Sequence, residues 1–316
     1  MKEIGGYLEL ETLINNEYYS SAIALNLARN ALVYLAKAKN INKVYLPYFL
    51  CDSVSNVCDR ENIKYEFYHI DGSFRPVFDK QLNPNDFLYV VNYYGQVDKN
   101  TIETIKEKFN NIIVDNVQSF YEPPVQGVDT IYSCRKFFGV PDGAYLISDA
   151  SCKELIPMDN SAGRTKHIYG RYDSENASKY YSDFQDNEKK FADLSLMRMS
   201  KSTRNIMGAI DYQSIMEKRT RNWQLLHEIL KNKNKLALKC SDGPYVYPFY
   251  CDNATEIRAK LIEHGIYVSL LWPNVKDTNA NEFEKDLAEN ILPFPIDQRY
   301  NANDMKRLLD ELFKFL

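Results

Sequence analysis

The chain has 316 residues, of which 45% are apolar and 26% charged, with a formal net charge of −4 and a pI near 5.7. Such a length supports one large core or two unequal lobes without disulfide or metal staples. Mild acidity and the lack of any run of five basic residues leave no footing for bulk attraction to nucleic acid or an anionic membrane.

Cys51, Cys58, Cys134, Cys152, Cys240 and Cys251 form no CxxC pair, and the four histidines, His69, His167, His227 and His264, make no metal-ligand spacing with them. Reduced thiols in a cytoplasm and no metal site are the expectation. The opening "MKEIGGYLELETL" lacks a basic n-region followed by an apolar h-region, and no apolar stretch in the sequence approaches the ~18 residues that span a bilayer. Small molecules, or a second copy of the chain, are the expected partners.

In chain order, a helical pattern near 21–38 precedes the β-rich run "KVYLP", a second near 50–60 precedes "KYEFYHI" and "DFLYVVNYYG", and a third near 100–110 precedes "NIIVDN", "VDTIYS" and "GAYLIS". Short apolar runs alternating with helices predict an α/β sheet, mostly parallel and buried on both faces. Sheets of this kind take ligands at the carboxyl ends of their strands, where Asp115 and Ser133 stand. From about 155 to 195 the sequence is polar and tyrosine-rich, without a sustained apolar period. An amphipathic helix "IDYQSIMEKRTRNWQLLHEILKN" then leads to a strand "YVYPFYC", a helix "ATEIRAKLIEHG", a strand "IYVSLLWP" and a terminal helix "NDMKRLLDELFKFL". The expected division is a large α/β domain over 1–205 and a smaller α+β domain over 206–316.

Lys136 is the residue that asks for chemistry. In "SCRKFFGVPDGA" the two phenylalanines could desolvate its ammonium and Arg135 could repel it, both of which favour a neutral amine able to attack a carbonyl. Asp115, at the end of a buried strand, would be a costly charge unless a cation meets it. Pyridoxal phosphate enzymes use that combination, an acidic residue on the pyridine nitrogen and a lysine on the aldehyde. Taken singly, an aspartate at a strand end also caps helices and a lysine beside phenylalanines also snorkels.

Three segments carry a family resemblance: "YVVNYYGQVDKNTIETI", a strand, aromatics, Gly-Gln and a helix; "IIVDNVQSF", a strand ending in Asp, two residues, then Gln; and "DTIYSCRKFFGVPDGAYL", a serine, a lysine three residues on, a glycine-containing turn and a strand. Together they resemble the DegT/StrS family of pyridoxal-phosphate-dependent aminotransferases, which have fold type I and act mostly on nucleotide-linked keto sugars. "LNLARNALVYLAKAKNINKVYLPYFLCDSV" and "IMEKRTRNWQLLHEIL" extend the likeness toward both ends.

The resemblance implies that Lys136 is the Schiff-base lysine, Asp115 the pyridinium partner, Gln118 the residue against the ring and its 3′-oxygen, and Ser133 a phosphate ligand. At the phosphate-binding helix start, where relatives carry a Ser-Gly-Thr-type turn, this chain reads Leu27, Ala28, Arg29, Asn30. Ala28 would offer its amide and Arg29 either a charge-assisted contact or a solvated helix face. For stacking on the ring "LPYFLCDSV" offers Tyr48, Phe49 or Cys51, Phe49 being also a natural core residue. In "LRMSKSTRN", Arg198, Ser200, Lys201 and Arg204 stand where the family often reaches the cofactor phosphate of the neighbouring subunit, though a basic helix start explains them as well. Arg299 could bind a carboxylate from the small domain or lie in a surface turn.

The activity that the resemblance implies is transfer of an amino group from a donor such as glutamate to a keto sugar, nucleotide-linked by the family pattern, in polysaccharide or amino-sugar synthesis, by a homodimer with shared active sites. Relatives carry a longer leader than the stretch before residue 27 here, which leaves the nucleotide-sugar substrate less firmly implied than the cofactor. Two other readings stay open: a dehydrating enzyme, against which Lys136 speaks because dehydrating relatives tend to carry histidine there, and a cofactor-binding regulator without turnover.

Overall fold

The computed structural model describes residues 6–174 and 177–316. The first five residues of the N-terminal stretch and residues 175 and 176 of the polar segment lie outside the described residues. Strands β1 (Ile23–Leu25), β2 (Lys43–Pro47), β3 (Lys64–Ile70), β4 (Pro76–Val77), β5 (Asp86–Val91), β6 (Ile112–Asp115), β7 (Asp129–Ser133) and β8 (Ala144–Ile147) form an eight-stranded sheet in the order β1-β8-β7-β6-β5-β2-β3-β4. The central strands β3, β2, β5, β6 and β7 pair in parallel, and β8, β1 and β4 join antiparallel. All six residues of β5 are buried, as a strand covered on both faces requires.

The helices are α1 (Ala28–Lys39), α2 (Asp52–Arg60), α3 (Lys99–Phe109), α4 (Lys166–Ser174), α5 (Tyr181–Phe191), α6 (Lys201–Met207), α7 (Tyr212–Leu230), α8 (Ala254–Glu263), α9 (Glu282–Asn290) and α10 (Ala302–Leu312). The strands "β9" (Val246–Tyr250) and "β10" (Ile291–Pro295) make a separate antiparallel pair. The mostly parallel sheet flanked by helices, with a small antiparallel sheet after it, is the architecture expected from the sequence.

Register sets the functional edge. Asp115 pairs with Val91 and Ile131, while Ser133 pairs with Ala144 and Ala144 with Leu25. The ends of β5, β6, β7 and β1 therefore line one edge, and α1 starts three residues beyond Leu25 at that same edge. Gly143 makes the turn into β8 possible: its φ is +118°, and a Cβ there would meet Thr203 at 3.0 Å and Cys134 at 3.2 Å.

Three differences from the sequence reading have physical causes. The helix expected near 21–38 begins only at Ala28, because Ile23–Leu25 pair with the edge of β8, a tertiary pairing that overrides local helix preference. "IYVSLLWP" alternates like a strand, with Ile266 and Val268 buried and Tyr267 and Leu270 exposed, yet pairs with nothing among the described residues. The partner it needed is taken: β9 pairs with β10, whose Pro293 and Pro295 disguised it in the sequence and are tolerated because a two-stranded ribbon is all edge.

Around β9 and β10 a second core gathers Trp223, Leu226, Leu230, Phe249, Leu261, Phe294 and Leu308, all buried. A third, aromatic core joins Tyr19, Phe120, Tyr132, Phe137, Phe138, Tyr145 and Tyr212 on the sheet. Helix α7 starts in the aromatic core and ends in the second, so one rigid element joins them. Leu226→Ala, which empties a fully buried position on that helix, should destabilise the protein by about 2–5 kcal/mol, read as a lowered denaturation midpoint; a loss within error would mean the second core collapses around the gap.

Candidate active site

Asp115 closes β6 and is 3% exposed. Its Oδ2 accepts from the Tyr89 hydroxyl at 2.7 Å and its Oδ1 from the Val117 amide at 2.9 Å. Burial pushes its pKa above the usual carboxylate range, although these two bonds and the charge of Lys136 pull the other way. No cation bonds it directly among the described residues. Two neutral donors and a lysine at a distance leave part of the desolvation cost uncompensated.

Gln118 lies one turn further on, 1% exposed. Its Oε1 accepts from the Tyr94 amide at 3.0 Å, which fixes the orientation of the side-chain amide because only oxygen can accept there. Nε2 is then left buried with no hydrogen-bond partner. Tyr94 itself is buried with φ +55°, a left-handed conformation unusual for so large a residue, and that backbone turn aims its amide at Gln118. A strained residue orienting an orphaned buried donor is a common sign of a ligand site.

Ser133, 7% exposed at the end of β7, makes no side-chain hydrogen bond among the described residues. At the same edge α1 begins without a side-chain cap and without an acid in its first turn; the Asn30 amide donates to the Leu27 carbonyl at 3.0 Å, which leaves the amides of Ala28 and Arg29 for an anion. Arg29, on that first turn and half-buried, forms no hydrogen bond or ion pair among the described residues; burial lowers its pKa, as does Arg60, while Cys51, Glu188 and Asp52 counter the effect. Ser133, the start of α1 and Arg29 gather hydrogen-bond donors and one cation at this edge, the donor set that an anion such as a phosphate calls for. The residues present thus fit pyridoxal phosphate: a buried carboxylate, an orphaned amide donor, an unpaired cation at a helix start, and a lysine.

Lys136 is half-buried, with its Nζ 5.3 Å from the centre of the Tyr245 ring. It stands at the floor of a cavity of about 890 Å³ whose walls come from α4 and α5 on one side and the C-terminal segments on the other, including His167, Arg171, Tyr267 and Arg299. Its neighbours differ from expectation. Arg135 does not stand against the lysine but is ion-paired with Glu188, its guanidinium 3.9 Å from the centre of the Phe191 ring. Phe137 and Phe138 pack into the aromatic core, so Tyr245 takes the part expected of them.

The other candidates separate in the same way. Phe49 is 1% exposed, its ring packed by Trp272 at 4.7 Å and Tyr93 at 5.3 Å, a core residue beside the site. Tyr48 stacks on Phe67, whereas Cys51 starts α2 and is close enough to Arg29 to influence its charge. Ser200 caps α6 and donates to buried Asp142 at 2.7 Å, so its hydroxyl is committed within the chain. Arg204 finds an acidic partner far off in sequence, Glu17, at 3.1 Å, while Arg198 and Lys201 remain exposed. Arg299 is bidentate to Asp297 at 2.6 and 2.7 Å; burial would raise the Asp297 pKa, and these bonds overcome it and hold it low. Sequence reasoning missed Tyr89, Tyr94 and Tyr245, tyrosines among 24 with nothing local to mark them, and Arg171, which belongs to the segment read as an excursion.

No family model and no curated protein sequence matches this chain. Solved structures do. DesV of S. venezuelae, in complex with a ketimine intermediate, superposes with a TM-score of 0.65 at 14% identity over 93% of this chain and 84% of its own. A DegT DnrJ EryC1 StrS aminotransferase from Brucella abortus gives 0.60 at 16% identity over 94% and 87%, and the putative sugar aminotransferase Spr1654 from Streptococcus pneumoniae, in its PLP form, 0.65 at 13% over 94% and 89%. The chain therefore has the fold of the DegT/DnrJ/EryC1/StrS sugar aminotransferases, the fold type I architecture with its mostly parallel sheet.

Proposed function

We propose that this protein is a pyridoxal-phosphate-dependent aminotransferase that moves an amino group from an amino acid, glutamate first among candidates, to a keto sugar, nucleotide-linked by analogy with what such folds act on. The observation that carries the reading is the buried Asp115 carboxylate, under the influence of Lys136 yet bonded to no cation. The fold of solved sugar aminotransferases supports the reaction class. We further propose a large domain over 1–205 and a small one over 206–316, a homodimer to which the exposed Arg198 and Lys201 contribute, and a cytoplasmic location; no described helix is long and apolar enough to cross a membrane.

When bound, pyridoxal phosphate supplies a protonated pyridine ring that accepts the electron pair released from an amino acid's Cα–H bond. Asp115 would hold the ring nitrogen protonated, Gln118 Nε2 would donate to the 3′-oxygen, and Ser133, Arg29 and the first amides of α1 would hold the phosphate. Lys136 would anchor the cofactor covalently and, once displaced by the donor's amine, move a proton between Cα and C4′. The Tyr245 ring gives the lysine one preferred seat facing the cavity, and α4 and α5 line that cavity opposite the C-terminal segments.

Three outcomes are expected. The purified protein should absorb in the visible, and borohydride should fix the cofactor to Lys136; peptide mapping that places it on another lysine would sink the assignment. Glutamate added without any keto acceptor should bleach that absorbance and release one 2-oxo acid per site, because each half of a ping-pong reaction runs alone. Colour that persists with every donor identifies a non-catalytic binder, and loss of a sugar hydroxyl without nitrogen incorporation identifies a dehydrating enzyme.

Asp115→Asn separates function from stability. An amide keeps the shape but cannot stabilise a pyridinium, so turnover should fall about a hundredfold or more. Because the folded pKa of Asp115 lies above its unfolded value, folding is favoured while the group is protonated, and stability is lost as pH rises through the window up to that raised value. The cofactor-free variant should therefore melt higher than cofactor-free wild type at neutral pH, with the gap closing in mild acid. A gap that does not depend on pH would show that Asp115 is not held at a desolvation cost.

A further inference from the structure

We propose that Arg219, with Gln298, is a positioning residue for Lys136: the two side chains pin the backbone beside the lysine and the tyrosine under it, so that C-terminal segments fix where the lysine's amino group stands. Arg219, on α7, is 2% exposed, and each of its three guanidinium nitrogens donates a hydrogen bond. Nη2 donates to the Phe137 carbonyl at 3.1 Å, Nη1 to the carbonyls of Pro244 at 3.2 Å and Tyr245 at 3.1 Å, and Nε to Gln298 Oε1 at 2.9 Å. Gln298 returns its own Nε2 to the same Phe137 carbonyl at 2.8 Å.

A cation buried this deeply usually faces a carboxylate. Here its bonds go to backbone carbonyls and an amide, and burial lowers its pKa, with Asp297 the first of the groups that oppose this. Such an arrangement costs more than a hydrophobic residue of similar volume would. What it delivers is a planar fork that joins three stretches of chain far apart in sequence: the residue after Lys136, the residue whose ring seats Lys136, and the segment that follows β10. The guanidinium also lies 4.8 Å from the centre of the Phe137 ring, which keeps that residue's side chain in register with its carbonyl. A lysine side chain has four rotatable bonds, and fixing its root and its seat together limits the arc its Nζ can sweep.

The geometry of this latch is independent of the cofactor; its bearing on catalysis rests on the reading of Lys136 given above. Competitive labelling of the cofactor-free protein with acetic anhydride, quantified on peptides for Lys136 against exposed Lys64, tests it directly. Arg219→Met and Gln298→Ala should each label Lys136 about threefold faster than wild type or more, the order expected for losing one cation–π seat. Arg307 lines the same cavity and, among the described residues, bonds only the His264 carbonyl, so Arg307→Met should leave the ratio unchanged. An unchanged Lys136 ratio in Arg219→Met and Gln298→Ala overturns the proposal, and where Arg219→Met does not fold, Gln298→Ala alone decides. Borohydride trapping with pyridoxal phosphate reports separately: faster acetylation with no trapping at Lys136 keeps the latch and removes the catalytic reading.

Discussion

A carboxylate held in the dry end of a sheet is the constraint around which this chain is built. Asp115 can stay there because Tyr89, on the neighbouring strand, and the Val117 amide each give it a hydrogen bond, and neither bond completes the compensation that a paired cation would. Everything else at the edge is placed relative to it by register: Ile131 beside it on β7, Ser133 two residues further along, Leu25 across β8, and the start of α1 just beyond. A parallel sheet makes this economical, since all its strand ends arrive on one side and helices already cover both faces.

The parts of this arrangement that were legible in the sequence are those that depend on local pattern. "NIIVDN" and "VDTIYS" announce buried strands by their β-branched runs, and their polar last residues announce the edge. Asp115, Gln118, Ser133 and Lys136 follow from those strand ends and from a family resemblance. What stayed hidden depends on partners distant in the chain. Glu188 claims Arg135 from 53 positions away and Glu17 claims Arg204 from 187, so the charges that looked available in the sequence are not. Pro293 and Pro295 hid β10, and the unpaired run after Gly265 looked like the strand that β10 is. Tyr94 in a left-handed turn has no sequence signal at all, since tyrosine is among the residues least expected to adopt it.

The fate of the arginines shows how burial and pairing sort one residue type into different roles. Arg299 is neutralised by Asp297 two residues before it, and this removes it as a simple carboxylate anchor. Arg164 is paired with Asp159 within a turn, and Arg135 lies against the same Phe191 ring that Arg164 approaches; both tie the polar segment back onto the lysine turn. Among the described residues, Arg29 alone combines partial burial, a helix start and no bonded partner. A cation in that condition is poised for a ligand anion, because the desolvation has been accepted in the folded state and the Coulomb gain is still to come.

The cavity beyond Lys136 obeys a different logic from the edge behind it. The edge is made from strand ends close together in sequence, between 115 and 136, and its residues can be read from local pattern. The opposite wall is made from α4 and α5, from the unpaired run around Tyr267 and from the turn around Arg299, segments more than a hundred residues apart at the extremes. These segments meet where Ser178 and Tyr267 share a hydroxyl pair at 3.1 Å and where Arg171 bonds Tyr300. The edge is structure that strand pairing holds in place, whereas the facing wall, built from helix and loop side chains, is structure that can be varied. Since strand patterning encodes the first and long-range packing the second, the edge is written more plainly in this sequence than the wall that faces it.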